Sequence, residues 1–461
     1  MKLPARLTSS GPFPWARPRH ELLLLGLVAL AMLSIMRPPG AQDTSRMCLT
    51  RALVHGHLSA DTCLDPNGDR AAFGGHLYSD KPPGISVFAI PMAQAVRLPG
   101  PSRWSRDGDV RLWAVRLSTG GIALLVCALL VGRVAEGLAP RWGGAVLVTF
   151  ATGTLAGSLA VDNFEEVPAA ALAFASFLLA WRRRPGLAGL VAGAMLLVQY
   201  QSGLIGAVVC VYVALSGVHA LGRYALGAVP GVALLGLYNR LAFGSPFHLS
   251  FKYVSPYYRE RQSAGFFGIH APPLHHLALV LGGSRGLIVE APVLLAAALG
   301  LVLLWRHGYR AESCVCAAVS VIFVLFDAGY FEIYGGDSPG PRYVIPAIPF
   351  LLTGLGPAFA RFRAFTALLA AASVIASTAM ALTWPGGVNA AQVYRWSVWR
   401  ELASLPVHGS HALIATWAQP NILGRLELGH LGSAAIVMTA ALLALGVALR
   451  DGWKGRLADA R

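Results

Sequence analysis

"FGGHLYSDKPPGISVFAIP", Phe73 to Pro91, joins a charged pair and a diproline to an apolar run too short for an ordinary membrane span. Whether that run crosses the membrane decides the topology of everything else. The chain has 461 residues, 55% of them hydrophobic and 13% charged, against about 25% charged in a soluble domain. Its mean hydropathy is +0.58. Long apolar runs recur from end to end, so the sequence predicts an all-α polytopic membrane protein.

The apolar runs predict twelve spans, near 21–37, 112–132, 142–160, 164–181, 186–200, 203–219, 223–241, 286–305, 312–331, 341–360, 363–383 and 431–449. The basic N-terminus belongs in the cytoplasm by the positive-inside rule. So do "RRRPG" (182–186), "WRHGYR" (305–310), "RFR" (361–363) and "RDGWKGR" (450–456). If 84–98 crossed the membrane, "RRRPG" would fall outside. If it does not cross, all five basic segments fall inside together. The run is therefore read as an interfacial or re-entrant helix beside the bundle. The formal net charge of +15 follows from the same cytoplasmic arginines and does not call for nucleic acid. A cleavable signal peptide is the rival reading of the first run; the many later spans favour a retained helix.

That topology divides the chain into a cytoplasmic segment 1–20, a transmembrane domain 21–383 with a long first loop 38–111, an extracytoplasmic loop 384–430, and a last span with its tail, 431–461. Every long polar loop then lies outside the cytoplasm. Of the six cysteines, Cys127, Cys210, Cys314 and Cys316 fall in apolar runs, while Cys48 and Cys63 share the first loop and can pair if that loop faces an oxidising space. Zinc-type spacing, a Walker loop and a Rossmann loop are all missing from the sequence. The strings "HGH" (55–57) and "HH" (275–276) are weak metal signals, and a divalent-metal cofactor stays open.

The outer loops carry the candidate chemistry. Residues 43–54 have the apolar spacing of an amphipathic helix at the membrane surface, interrupted by Arg46 and Arg51. Asp43 stands at its start, as an N-cap, a functional carboxylate, or both. In "YSDKPPG" the two prolines make the chain rigid and extended. Lys81, one of four lysines, is a compact cation at the membrane boundary, suited to phosphate or else merely snorkelling; Asp80 is its neighbour and natural partner. "GGDSPGPRY" is a shaped turn whose glycines admit close approach to a ligand. It delivers Arg342, a bidentate phosphate donor or an interface anchor, and Asp337, which can hold sugar hydroxyls. "VDNFEEV" adds Asp162, Glu165 and Glu166, acids at a membrane boundary. Tyr253, in an aromatic and basic loop, can stack on a sugar or belt the interface.

Three stretches together resemble the GT-C superfamily of membrane glycosyltransferases, in particular the bacterial protein O-mannosyltransferase and aminoarabinose-transferase group. They are "QDTSRMCLTRALV" with "GDRAAFGGHLYSDKPPG", "YNRLAFGSPFHLSFKY" with "SRGLIVEAPVLL", and "YGGDSPGPRYVIPAIPFL". They run from Gln42 to Leu352 and point to the family, not to a substrate. The resemblance implies an inverting transfer from a polyprenyl-phosphate sugar to a lipid, glycan or protein acceptor outside the cytoplasm, at the plasma (inner) membrane. It maps the first-loop acid onto Asp43 as base and the Lys-Pro-Pro lysine onto Lys81. Asp43 is followed by Thr44, so the acidic pair common in the superfamily is missing, and Glu165 or Asp162 is the expected second carboxylate. With Arg342 beside Lys81, the phosphate would leave against fixed positive charge. Two rivals stay open, a transporter or flippase of lipid-linked sugars and a non-catalytic envelope-assembly protein. A transporter should show repeats and polar groups at mid-membrane, and neither is seen here.

Overall fold

The structure is a computed structural model describing residues 18–459 apart from 38, 65–67, 105–108, 163, 264, 266–267, 337, 385–396, 405–421 and 424–428. Among the described residues it is helical apart from one small hairpin. The loop expected over 384–430 lies largely outside the described residues.

Five helices are long and apolar enough to cross a membrane, or seven when two bent pairs each count as one span. The bent pairs are Leu274–Glu290 with Val293–Arg306, folded by 91°, and Arg342–Leu352 with Leu355–Arg361, folded by 52°. The remaining expected spans coincide with shorter apolar helices. These include α1 (Pro18–Val28), Gly143–Thr152, Glu166–Trp181, Pro185–Val198 and Gly203–Ala214. A 14-residue helix rises about 21 Å, short of a bilayer core of about 30 Å. Gly143–Thr152 and Glu166–Trp181 are largely buried within the bundle, whereas Pro185–Val198 exposes Leu187 and Leu190 and Gly203–Ala214 exposes Leu204 and Val211. On the helix Val218–Phe243, Leu226, Val229, Leu234, Leu237 and Leu241 are all exposed. A row of bare leucines and valines on one helix is what lipid contact requires.

Small residues let these helices approach. Across the pair Pro185–Val198 and Val218–Phe243, Gly189 lies against the Tyr224 backbone, Gly227 against Gly186 and Gly231 against Gly193, and a Cβ on Gly193 would run into the Ala228 carbonyl. This is the small-xxx-small spacing that brings membrane helices backbone to backbone.

The first loop is built on α2 (Ala41–Val54) and α3 (Gly84–Ala95), which pack on one another and on α4 (Val110–Leu138). The helix expected over 43–54 is present, but it is not a simple surface amphipath. Arg46 and Ser45 are fully buried alongside Met47 and Leu49. Asp43 sits at the third helical position rather than at the cap, where its Oδ2 accepts the backbone N–H of Gly40 at 2.9 Å.

The run 84–98 forms α3, twelve residues and about 18 Å long. Ile85, Ser86, Ala89 and Ala93 face inward, whereas Val87 and Phe88 are exposed. Ser86 Oγ donates to the Arg46 carbonyl at 2.9 Å, and a Cβ on Gly84 would lie 2.5 Å from the Leu197 carbonyl oxygen. The helix is thus seated against both α2 and the helix Pro185–Val198.

Between α2 and α3 lies the hairpin of β1 (Ala71–Phe73) and β2 (His76–Tyr78), paired Ala71 to Tyr78 and Phe73 to His76. Gly74 and Gly75 turn it with φ of +59° and +84°, a two-residue turn that glycine permits. Carrying that register outward brings residue 69 beside residue 80. The hairpin is the device that delivers the Asp-Lys pair. Cys48 and Cys63 form a disulfide across the same loop.

Candidate active site

A cavity of about 1160 Å³ opens where the first loop, the Phe164–Glu165 segment, the loop after Phe243 and the turn before Arg342 meet. Its charged lining includes Asp43, Asp80, Lys81, Asp162, Glu165 and Arg342, drawn from four separate stretches of sequence. Its apolar flank comes from Leu204, Ile322, Leu325 and Phe326.

Asp43 is clamped by Arg116. Arg116 Nε donates to Oδ1 at 2.9 Å and Nη2 to Oδ2 at 2.6 Å, a bidentate fork buried from solvent. Arg116 also donates to the Arg37 carbonyl at 2.6 Å. Arg116 lies within an expected span, where an ionisable residue signals a function or a partner.

Lys81 is held by two acids. Its ammonium lies 2.7 Å from Asp80 Oδ2 and 3.3 Å from Asp69 Oδ2. Burial alone would lower its pKa, but the Asp69 and Asp80 carboxylates outweigh it and hold the ammonium above the usual lysine range. For Asp69, burial pushes upward and Lys81 pulls further downward, leaving it below the usual carboxylate range. Asp80 accepts in addition from Ser45 Oγ at 2.8 Å. Asp69 lines the cavity and escaped the sequence reading, although the hairpin glycines five and six residues on were the available signal.

The acids of "VDNFEEV" separate. Asp162 Oδ2 lies 3.4 Å from Arg37 Nη1, Glu165 pairs with the buried Arg46, and both line the cavity. Glu166 is fully buried behind the wall, 3.2 Å from Arg342 Nη1. Arg342 is further fixed by donating Nε to the Gly335 carbonyl at 2.7 Å and by lying over the Phe164 ring at 4.5 Å. Gly335 and Gly336 adopt φ of +71° and +86°, and a Cβ on Gly335 would stand 2.5 Å from Arg342 Nε. Arg285 pins the same turn from behind. Its guanidinium donates to the carbonyls of Ser338 and Pro339 and stacks over Tyr334 at 4.2 Å. Tyr253 is not in the cavity wall: it stacks on Phe243, and its hydroxyl meets His248 Nδ1 at 2.8 Å. Asp337 lies outside the described residues.

Glu332, also missed in sequence, lines the cavity from the turn after Tyr330. Burial raises its carboxyl above the usual range, more than Arg342 lowers it. Among the described residues no group of three or more His, Cys, Asp or Glu side chains is arranged to hold a metal ion.

No family model and no curated protein matches the chain. Two crystal structures of ArnT from Cupriavidus metallidurans do. The apo structure gives a TM-score of 0.54 at 16% identity, over 94% of this chain and 76% of that one. The structure bound to undecaprenyl phosphate gives 0.51 at 16% identity, over 96% and 78%. The chain is thus an all-α, multi-pass membrane protein with the fold of ArnT.

Proposed function

We propose that the protein transfers a sugar, with inversion, from a polyprenyl-phosphate donor to an acceptor on the extracytoplasmic side of the plasma membrane. The observation that carries this reading is that Asp43, Lys81, Glu165 and Arg342 line one cavity flanked by apolar side chains. A neighbour of the same fold with undecaprenyl phosphate bound supports the donor class. The Cys48–Cys63 disulfide supports the sidedness, because such bonds persist in oxidising compartments.

In this reading the acceptor hydroxyl attacks the anomeric carbon while Asp43 takes its proton. An ionised carboxylate accepts at about four lone-pair positions. Arg116 and Gly40 occupy one on Oδ1 and two on Oδ2, which leaves one on Oδ1 for the acceptor. Glu165 is the second carboxylate, oriented by Arg46. The departing phosphate is met by Lys81 and Arg342, fixed cations that need no reorganisation as charge develops. Asp80 and Asp162 bind sugar hydroxyls from the wall. Glu166 holds Arg342 in place, Tyr253 supports the loop that closes the site, and Asp337 extends the sugar contacts.

The test is a donor screen with purified protein, a panel of labelled polyprenyl-phosphate sugars and membrane acceptors. One donor should be consumed, and Asp43→Asn should lower its transfer about 10²–10⁴-fold, the range of a general base. Transfer by Asp43→Asn at the wild-type rate sinks the base assignment. Translocation of a lipid-linked sugar across vesicles without any transfer sinks the enzyme reading in favour of a flippase.

A further inference from the structure

Among the described residues six carboxylates line the cavity, and five are answered by a cation. Asp43 has Arg116, Asp69 and Asp80 share Lys81, Asp162 has Arg37, and Glu165 has Arg46. The sixth, Glu332, has neither a hydrogen bond nor an ion pair to its side chain among the described residues. It is not remote from charge, because it belongs to the turn that positions Arg342. Its own carbonyl accepts the Gly335 N–H at 2.7 Å, the Gly335 carbonyl accepts from Arg342, and Glu332 Oε2 lies 3.3 Å from the point where a side chain on Gly336 would begin. An ionised carboxylate there would stand beside the donor phosphate and repel it.

We propose that Glu332 serves as a neutral carboxylic acid at the phosphate end of the cavity, donating its proton to the leaving phosphate. This rests on the donor-phosphate reading given above. In the step, the bond from the acceptor oxygen to the anomeric carbon forms as the bond from that carbon to the phosphate oxygen breaks. The bonding pair stays on the phosphate oxygen, and the Glu332 proton moves to it. The lipid leaves as a singly charged phosphate monoester, the acceptor's proton rests on Asp43, and water later returns the proton from one carboxylate to the other. The partial burial that raises the Glu332 pKa agrees with the neutral form.

The sign of the pH effect follows. Glu332 is neutral below its folded pKa, so donor-phosphate binding should be strong there and weaken as pH rises through it. The groups that act on it are Arg342, Asp69, Arg261 and Lys81; His270 also lines the cavity.

The experiment measures the affinity of the full-length protein for undecaprenyl phosphate between pH 5 and 9. The lipid's own second ionisation, near pH 6, is common to every variant and cancels in the ratio of variant to wild type. Wild type should lose about tenfold in affinity on ionisation of Glu332, one pKa unit of coupling to a like charge. Glu332→Gln should lose that component and bind more tightly than wild type at pH 9. Glu332→Asp should keep it, and so should His270→Asn. A wild-type pH slope in Glu332→Gln, or loss of the slope in His270→Asn, overturns the assignment to Glu332 while leaving the donor reading intact. Wild type that binds no undecaprenyl phosphate at any pH overturns the donor reading and this inference with it.

Discussion

The two walls of the cavity are built differently. On the first-loop wall every acid has a cation: Asp43 on Arg116, and Asp69 and Asp80 on Lys81. On the second wall, the turn from Tyr330 to Arg342, Glu332 has no hydrogen-bond or ion-pair partner among the described residues, and Glu290, packed against Gly340 of that turn, has two buried oxygens with no hydrogen bond. Buried charges are costly unless paired. The first-loop wall is therefore complete without a ligand, whereas the second carries groups whose neutrality or pairing depends on what enters. One wall holds a shape; the other responds.

The comparison breaks most easily at its strongest pair. Arg116→Met should strand Asp43 in a buried site and cost about 3–5 kcal/mol, the penalty for removing one partner of a buried ion pair. Transfer activity should vanish with it. Thermal unfolding in detergent measures the loss, and a wild-type melting temperature would show that the pair does not hold the first loop. Next comes the disulfide. Replacing both Cys48 and Cys63 by Ser opens a short loop of separation 15 and should cost about 3 kcal/mol, read in the same way. Unaltered stability would mean that the helix contacts of the loop suffice without the crosslink.

A smaller effect should separate the walls by kind. Gly335→Ala forces a side chain into a left-handed backbone and against Arg342 Nε. The backbone strain is worth about 1–2 kcal/mol, a modest loss of stability. Because the turn fixes Arg342, affinity for undecaprenyl phosphate should fall by more than the stability loss implies. Equal losses in both measurements would mean that the turn has no special bearing on the phosphate.

Much of this architecture was legible before the structure. The count of apolar runs gave the helical bundle, and the parity of basic loops predicts that 84–98, which forms α3 with one buried face, does not cross. The "KPPG" and "GPRY" motifs marked the two walls. What was not legible was pairing. Arg46 and Arg51 looked like interruptions of a surface helix, since period alone cannot say that Arg46 is fully buried against Glu165. Asp69 was hidden because its partner is chosen by a hairpin register, set by Gly74 and Gly75 and invisible to hydropathy. Glu332 was passed over among the louder glycines and prolines of its turn. Charges in irregular loops have no periodicity, so only the folded chain tells which ones meet.

The finest test sets one carboxyl from each wall against the other as pH changes. Asp69 titrates lower in the folded protein than in the unfolded chain, and Glu332 titrates higher. Asp69 therefore contributes stability that is present above the ordinary carboxylate range and is lost as pH falls through its folded pKa. Glu332 has the reverse sign. As pH rises past the ordinary range, the unfolded chain ionises first, and the folded state loses ground until its own pKa is passed. Asp69→Asn should thus destabilise at pH 7 and approach wild type in acid. Glu332→Gln should match wild type in acid, within about 0.5 kcal/mol as for a side chain with no partner to lose, and exceed it at pH 7. Melting curves of both variants at pH 4 and pH 7 give the answer. If both variants lose stability at pH 7 and recover in acid, Glu332 is paired like the rest, and the two walls are built alike.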